Sequence, residues 1–158
     1  MAVNDAVRSL NTLVTLMSSG SAVTDGSFAE CTTADLVAAD IDGMPLAVFE
    51  LTLTAGFSAD PTAGAVINLY EQKIMTGGTN KAPGVDAGNP NDYIGSFIPD
   101  DAPATAGTAQ YLRLEGVPIN YLGGTYWIEW LDGGAGTAQI AATWKLDVTP
   151  YTYKPATA

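Results

Sequence analysis

Four glutamates, Glu50, Glu71, Glu115 and Glu129, and the pair Asp40 and Asp42 ahead of Gly43 are the side chains of this sequence best suited to chemistry. Two carboxyl groups suffice for glycoside hydrolysis, one acting as acid and the other as base or nucleophile. Each of the four glutamates is assigned to the outward phase of a predicted strand. Nothing in the sequence gives one carboxyl the apolar surroundings an acid needs and another the polar ones a base needs. The glutamates therefore read as a solvated sheet face. Asp40 and Asp42 have cation-loop spacing, but the later bidentate glutamate of a calcium loop is missing, so "ADIDGM" reads as a turn. Asp100, Asp101 and Asp132 read as turn residues too, the last because Asp-Gly is a tight-turn signal.

The chain contains no histidine, which removes Ser-His-Asp and Cys-His nucleophiles and the metal-activated waters built on imidazole. The glycine-rich run Gly77 to Gly84, "GGTNKAPG", lacks the Lys-Ser/Thr ending of a phosphate loop. Cys31 is the single cysteine, so it forms no internal disulfide and reads as a small buried hydrophobe. No catalytic residue, cofactor or metal is assigned, and the chain is not expected to be an enzyme.

The composition narrows the partners. With 158 residues the chain fits one domain. Apolar residues make up 47% and charged residues 15%, which suits a globular chain of short strands. There are 17 acidic and 6 basic residues, a formal charge of -11, and no basic cluster. A phosphate-neutralising face is therefore absent, and nucleic acid and anionic membrane surfaces are poor partners. The first residues lack a secretory pattern, and no run approaches the roughly 18 apolar residues of a span. Synthesis in a cytoplasm is expected.

Strand alternation is the dominant pattern. "PLAVFELTLT" turns Ala47, Phe49, Leu51 and Leu53 to one side and Glu50, Thr52 and Thr54 to the other. "AVINLYEQKI" repeats this with Ala65, Ile67 and Leu69 inward, and the two are expected to pair antiparallel across a long turn. Met75 to Asn91 is a long loop, Tyr93 to Ile98 a short strand, and "AQYLRLEGVPI" a strand with Leu112 and Leu114 on one face. "LNTLVTLM" is apolar on both faces, with Leu10, Val14 and Leu16 against Leu13 and Met17, as in a strand buried on both sides or lying against a neighbour. "AECTTADLVAADIDG" reads as strand and loop in preference to helix. The sum is an all-β fold, an antiparallel β-sandwich of about eight strands with long loops. It forms one domain over residues 1–158, with an arm at 1–9 and a tail at 154–158.

The three tryptophans lie between Gly124 and Tyr153. In "TYWIEW" Tyr126, Ile128 and Trp130 share one face and Thr125, Trp127 and Glu129 the other. In "QIAATWKLDV" Ile140, Ala142, Trp144, Leu146 and Val148 form the apolar face. A hairpin around "DGGAG" would set Ile128 opposite Ile140, Tyr126 opposite Ala142 and Gly124 opposite Trp144, placing Trp130 and Trp144 in the core. Trp127 is left on the polar face.

The succession "YLRLEGVPINYLGGTYWIEWLDGGAG", a last strand and "TPYTY" resembles the head decoration, or cement, proteins of tailed bacteriophages. The likeness rests on a strand ending Leu114-Glu115-Gly116-Val117-Pro118, a short crossing to an aromatic strand, a glycine-rich turn, and a final strand closing on Tyr151 and Tyr153; it spans roughly Pro45 to Tyr153. The resemblance implies a jelly-roll-like sandwich, commonly trimeric, on the outer surface of a virion head, where it clamps major capsid subunits together. Leu10, Leu13, Met17, Tyr121, Trp127, Tyr151 and Tyr153 are the candidate interface residues. The alternative is a carbohydrate-binding sandwich of a phage tail or fibre, with Trp127, Tyr121 and Tyr126 as stacking residues.

Overall fold

The computed structural model describes residues 6–73, 91–102, 105–134 and 137–155. Most of the expected 75–91 loop lies outside these residues. Among them the chain forms ten strands and one short helix: β1 (Ala6–Leu10), β2 (Val14–Gly20), β3 (Phe28–Glu30), β4 (Leu36–Val37), α1 (Ala38–Ile41), β5 (Leu46–Leu53), β6 (Val66–Lys73), β7 (Asn91–Phe97), β8 (Gln110–Pro118), β9 (Gly123–Leu131) and β10 (Trp144–Pro155).

The strands form two five-stranded antiparallel sheets. The first runs β1-β10-β5-β8 with β2 also on β10, and the second runs β3-β9-β6-β7 with β4 also on β9. The pairing is nested: β6 meets β7, β5 meets β8, β3 and β4 meet β9, and β1 and β2 meet β10. Rolling this ribbon adds the β10–β5 and β9–β6 contacts. The order is that of a jelly roll. Because β1 and β2 share one edge of β10, and β3 and β4 one edge of β9, ten strands occupy eight positions.

Alternation drives the sheets together. Phe49 and Leu51 of β5 are fully buried, as are Ile67 and Leu69 of β6, Tyr126, Ile128 and Trp130 of β9, and Trp144, Leu146 and Val148 of β10. Across the layers Phe49 packs on Tyr126 with ring centroids 5.1 Å apart, and Phe57 on Trp130 at 4.7 Å. Both fully buried indoles keep a hydrogen bond, Trp130 Nε1 to the Ala138 carbonyl at 2.8 Å and Trp144 Nε1 to the Ser21 carbonyl at 2.7 Å. A tryptophan N–H without a partner would oppose burial of the ring.

Several expectations change. The two tryptophan strands do not form a hairpin: β9 belongs to the second sheet and β10 to the first, so their apolar faces oppose each other across the core. Ile140 instead bridges Val23 and Phe57, and Ala142 is exposed. β5 and β6 likewise lie in different sheets. Residues 38–41 are helical: Asp40 Oδ2 accepts from the Val37 amide at 3.2 Å, and Asp42 ends the turn in the left-handed region. Ala6 to Ser9 of the expected arm, together with Leu10, pair with Tyr151–Pro155, so Lys154 and Pro155 of the expected tail are also strand. In the segment apolar on both faces, Leu16 and Met17 are buried while Leu10 and Leu13 are exposed.

Candidate functional site

One end of the sandwich gathers the β1–β2 interruption, the α1 connection and the β8–β9 turn. The Asn11 amide donates to the Pro150 carbonyl at 2.8 Å, and its Nδ2 donates to the Asp40 carbonyl. The Ile119 amide donates to the Pro45 carbonyl at 3.1 Å. Val37 pairs with Gly123. Gly123 has φ of 81°, and a Cβ there would overlap the Leu36 carbonyl; only glycine permits both that φ and that approach.

This end exposes several large apolar side chains, among polar ones such as Thr12 and Asp42. Tyr121 is 72% exposed and Leu122 58%, both on the β8–β9 turn; Leu10 is 58% exposed, and Leu13 and Val37 are exposed as well. Exposed apolar groups of this kind mark interaction surfaces when they gather on one part of a protein.

A buried carboxylate fixes the turn that carries Tyr121. Glu71 is 4% exposed and follows Ile67 and Leu69 on the inward phase of β6, which corrects its expected outward position. Its Oε1 accepts from the Tyr126 hydroxyl at 2.8 Å and the Asn120 amide at 3.3 Å. Burial first, and then the Glu71 carboxylate, hold the Tyr126 phenol well above its ordinary pKa. Asn120 in turn accepts from Leu122 through its Oδ1 at 3.2 Å and from Gly123 through its carbonyl at 2.9 Å.

Of the seven candidate interface residues, Leu10, Leu13, Tyr121 and Tyr153 are exposed, and Met17, Trp127 and Tyr151 are buried. Tyr151 lies beneath the Arg8 guanidinium, 4.1 Å from its ring, with Tyr153 packed edge-on at 5.6 Å. Trp127 keeps its expected outward phase but is only 8% exposed; its Nε1 donates to Gln72 Oε1 at 3.3 Å. Trp127 and the fully buried Tyr126 are thus not available as stacking residues, and Tyr121 alone of that set is open. Val37 and Leu122 join the exposed residues of this end, although alternation alone does not mark either as an interface residue. Leucine within the turn "NYLGG" was the available signal for Leu122; Val37 had none, because its position depends on α1.

The remaining carboxylates do not converge. Glu50 and Glu115 pair with Arg113 on the outer face of the first sheet, at 3.8 and 3.0 Å. Glu129 lies on the outer face of the second sheet beside Tyr70 and Asn68. Asp132 is fully buried and is no tight-turn residue: Oδ1 accepts from the Thr62 amide at 2.8 Å and Oδ2 from the Ala138 amide at 3.2 Å, tying two loops together. Among the described residues no group of three or more His, Cys, Asp or Glu side chains comes together as a metal site. Cys31 is buried, and its thiol is raised by burial and, less, by Glu30. The chain matches no protein-family model and no curated protein.

Proposed function

We propose that this chain is a structural virion protein, a decoration or cement protein that binds the outer surface of a tailed-phage head. In this reading the apolar end docks on major capsid subunits and joins neighbours, and the chain acts without catalysis, nucleic acid or membrane. The observation that carries the proposal is the gathering of Leu10, Leu13, Val37, Tyr121 and Leu122 at one end of a jelly roll, with the turn bearing two of them fastened to Glu71. An ordered apolar surface binds at low entropic cost, because its side chains and backbone are already in place.

The formal charge of -11 supports the same reading, since an acidic protein is repelled by packaged nucleic acid. A trimer would present three such ends at once, and linked weak contacts multiply in strength when their geometry permits simultaneous engagement. Quantitative mass spectrometry of purified virions, together with co-sedimentation of the chain with heads lacking it, tests the proposal. Stoichiometric copies in virions and saturable binding to heads are expected. Absence from virions and no binding to heads would refute it.

A further inference from the structure

The outer faces of the two sheets differ in chemistry. On the first sheet Arg113 pairs with Glu50 and Glu115, Arg8 with Glu115, and Lys145 with Asp147 at 2.8 Å. These cations each face an acidic partner. The second sheet carries aromatic, amide and hydroxyl groups there together with Glu30 and Glu129.

Register places these groups in two adjacent rows. Phe28 is opposite Glu129, Glu129 opposite Asn68, and Asn68 opposite Ser96. Two residues along β3, β9 and β6, and three along β7 where the register shifts, Glu30 is opposite Trp127, Trp127 opposite Tyr70, and Tyr70 opposite Tyr93. Directly paired residues project to the same face. Within the first row Asn68 Nδ2 donates to Glu129 Oε2 at 2.9 Å and Ser96 Oγ donates to Asn68 Oδ1 at 2.6 Å; between the rows Tyr70 Oη donates to Glu129 Oε2 at 2.8 Å, and the Tyr93 and Ser96 hydroxyls lie 2.8 Å apart. The rings of Phe28, Tyr70 and Tyr93 follow one another at 5.7 and 5.9 Å. Tyr93, at the end of this strip, is 58% exposed.

We infer that this face is a binding site for a neutral saccharide, which stacks on Tyr93 and the open edge of Tyr70 while its hydroxyls bond to the Glu129–Asn68–Ser96 row. A sugar ring has an apolar C–H face and a rim of hydroxyls, and the two rows supply an aromatic surface and a line of oriented acceptors and donors to match. Polar groups already fixed by one another lose little freedom when a ligand binds. The formal charge of -11 argues against sulfated or sialylated glycans. A small organic cation fits less well: the rings follow one another in a line along the sheet, inclined at 60° and 68°, and do not enclose a point. This site is independent of the apolar end.

The test uses the full chain on an array of neutral, sulfated and sialylated oligosaccharides and bacterial surface polysaccharides, with calorimetry on the strongest binder and choline chloride as the cationic probe. Retention of at least one neutral glycan is expected, with affinity falling tenfold or more in Tyr93→Ala and severalfold in Tyr70→Phe. Tyr111→Ser, exposed on β8 of the first sheet, should bind the glycan as the parent does. Unchanged melting of Tyr93→Ala separates loss of contact from loss of fold; if that variant melts early, Tyr70→Phe decides. No neutral glycan retained, stronger binding of choline or of anionic glycans, or parental affinity in both tyrosine variants would overturn the inference.

Discussion

The Tyr126 hydroxyl donates to Glu71 Oε1 at 2.8 Å inside the sandwich, and the same oxygen accepts the Asn120 amide one residue before Tyr121. A core strand, a buried acid and an exposed turn are thereby joined. Tyr126→Phe keeps the ring against Phe49 but takes one donor from a buried carboxylate. It is expected to lower unfolding free energy by about 1–3 kcal/mol, measured by urea denaturation. An unchanged midpoint would show that the hydroxyl adds nothing.

Alkaline pH should destabilise the fold. Burial raises the Tyr126 phenol, with Glu71 adding to it, and raises the Cys31 thiol, with Glu30 adding less. Burial and then the hydrogen bond to Glu129 push Tyr70 up to about 12. All three keep their protons in the fold after the unfolded chain has lost them, so their contribution is complete below the unfolded values, about 8.5 for thiol and about 10 for phenol, and declines above them. The urea midpoint should hold from pH 7 to 8 and fall progressively toward pH 11. Cys31→Ala and Tyr126→Phe should each flatten part of that fall; a level midpoint to pH 11 in the parent would contradict it.

Gly20 lies against the Trp144 indole, where an added Cβ would overlap the ring. Trp144 is fully buried and bonded to Ser21, so it has little room to yield. Gly20→Ala should cost about 1–3 kcal/mol, in the range of an overpacked core. Combining it with Trp144→Phe should cost less than the sum of the two single changes; additive losses in thermal melts would show that the two sites do not touch.

Asp132→Ala strands the Thr62 and Ala138 amides, and the cost should be about 2–4 kcal/mol, with Asp132→Asn intermediate because it keeps one acceptor. Hydrogen exchange should quicken at Thr62 and Ala138 before the core strands. Parental exchange at both amides would contradict the clamp.

Face was legible in the sequence and partnership was not. Period-two alternation correctly placed Phe49, Leu51, Ile67, Leu69, Ile128, Trp130 and Trp144 inward and Trp127 outward, because side-chain direction is a local property of a strand. It paired β9 with β10 and β5 with β6, because a glycine-rich connection reverses the chain whether it closes a hairpin or crosses to the opposite layer. Glu71 shows the converse failure. Its position after Ile67 and Leu69 already placed it inward, but its charge type argued for solvent, and its hydrogen bonds to Tyr126 and Asn120 offset its burial. The apolar end was half legible: Leu10, Leu13 and Tyr121 stood out, whereas their meeting with Val37 and Leu122 depends on the jelly-roll closure.

The most direct measurement of the central claim is co-sedimentation of the chain with phage heads lacking it, comparing the parent with a Tyr121→Ser, Leu122→Ser variant. Both side chains are exposed, so the variant should fold and melt as the parent does. Saturable binding by the parent and at least tenfold weaker binding by the variant are expected. Equal binding by the two, or none by either, would contradict it.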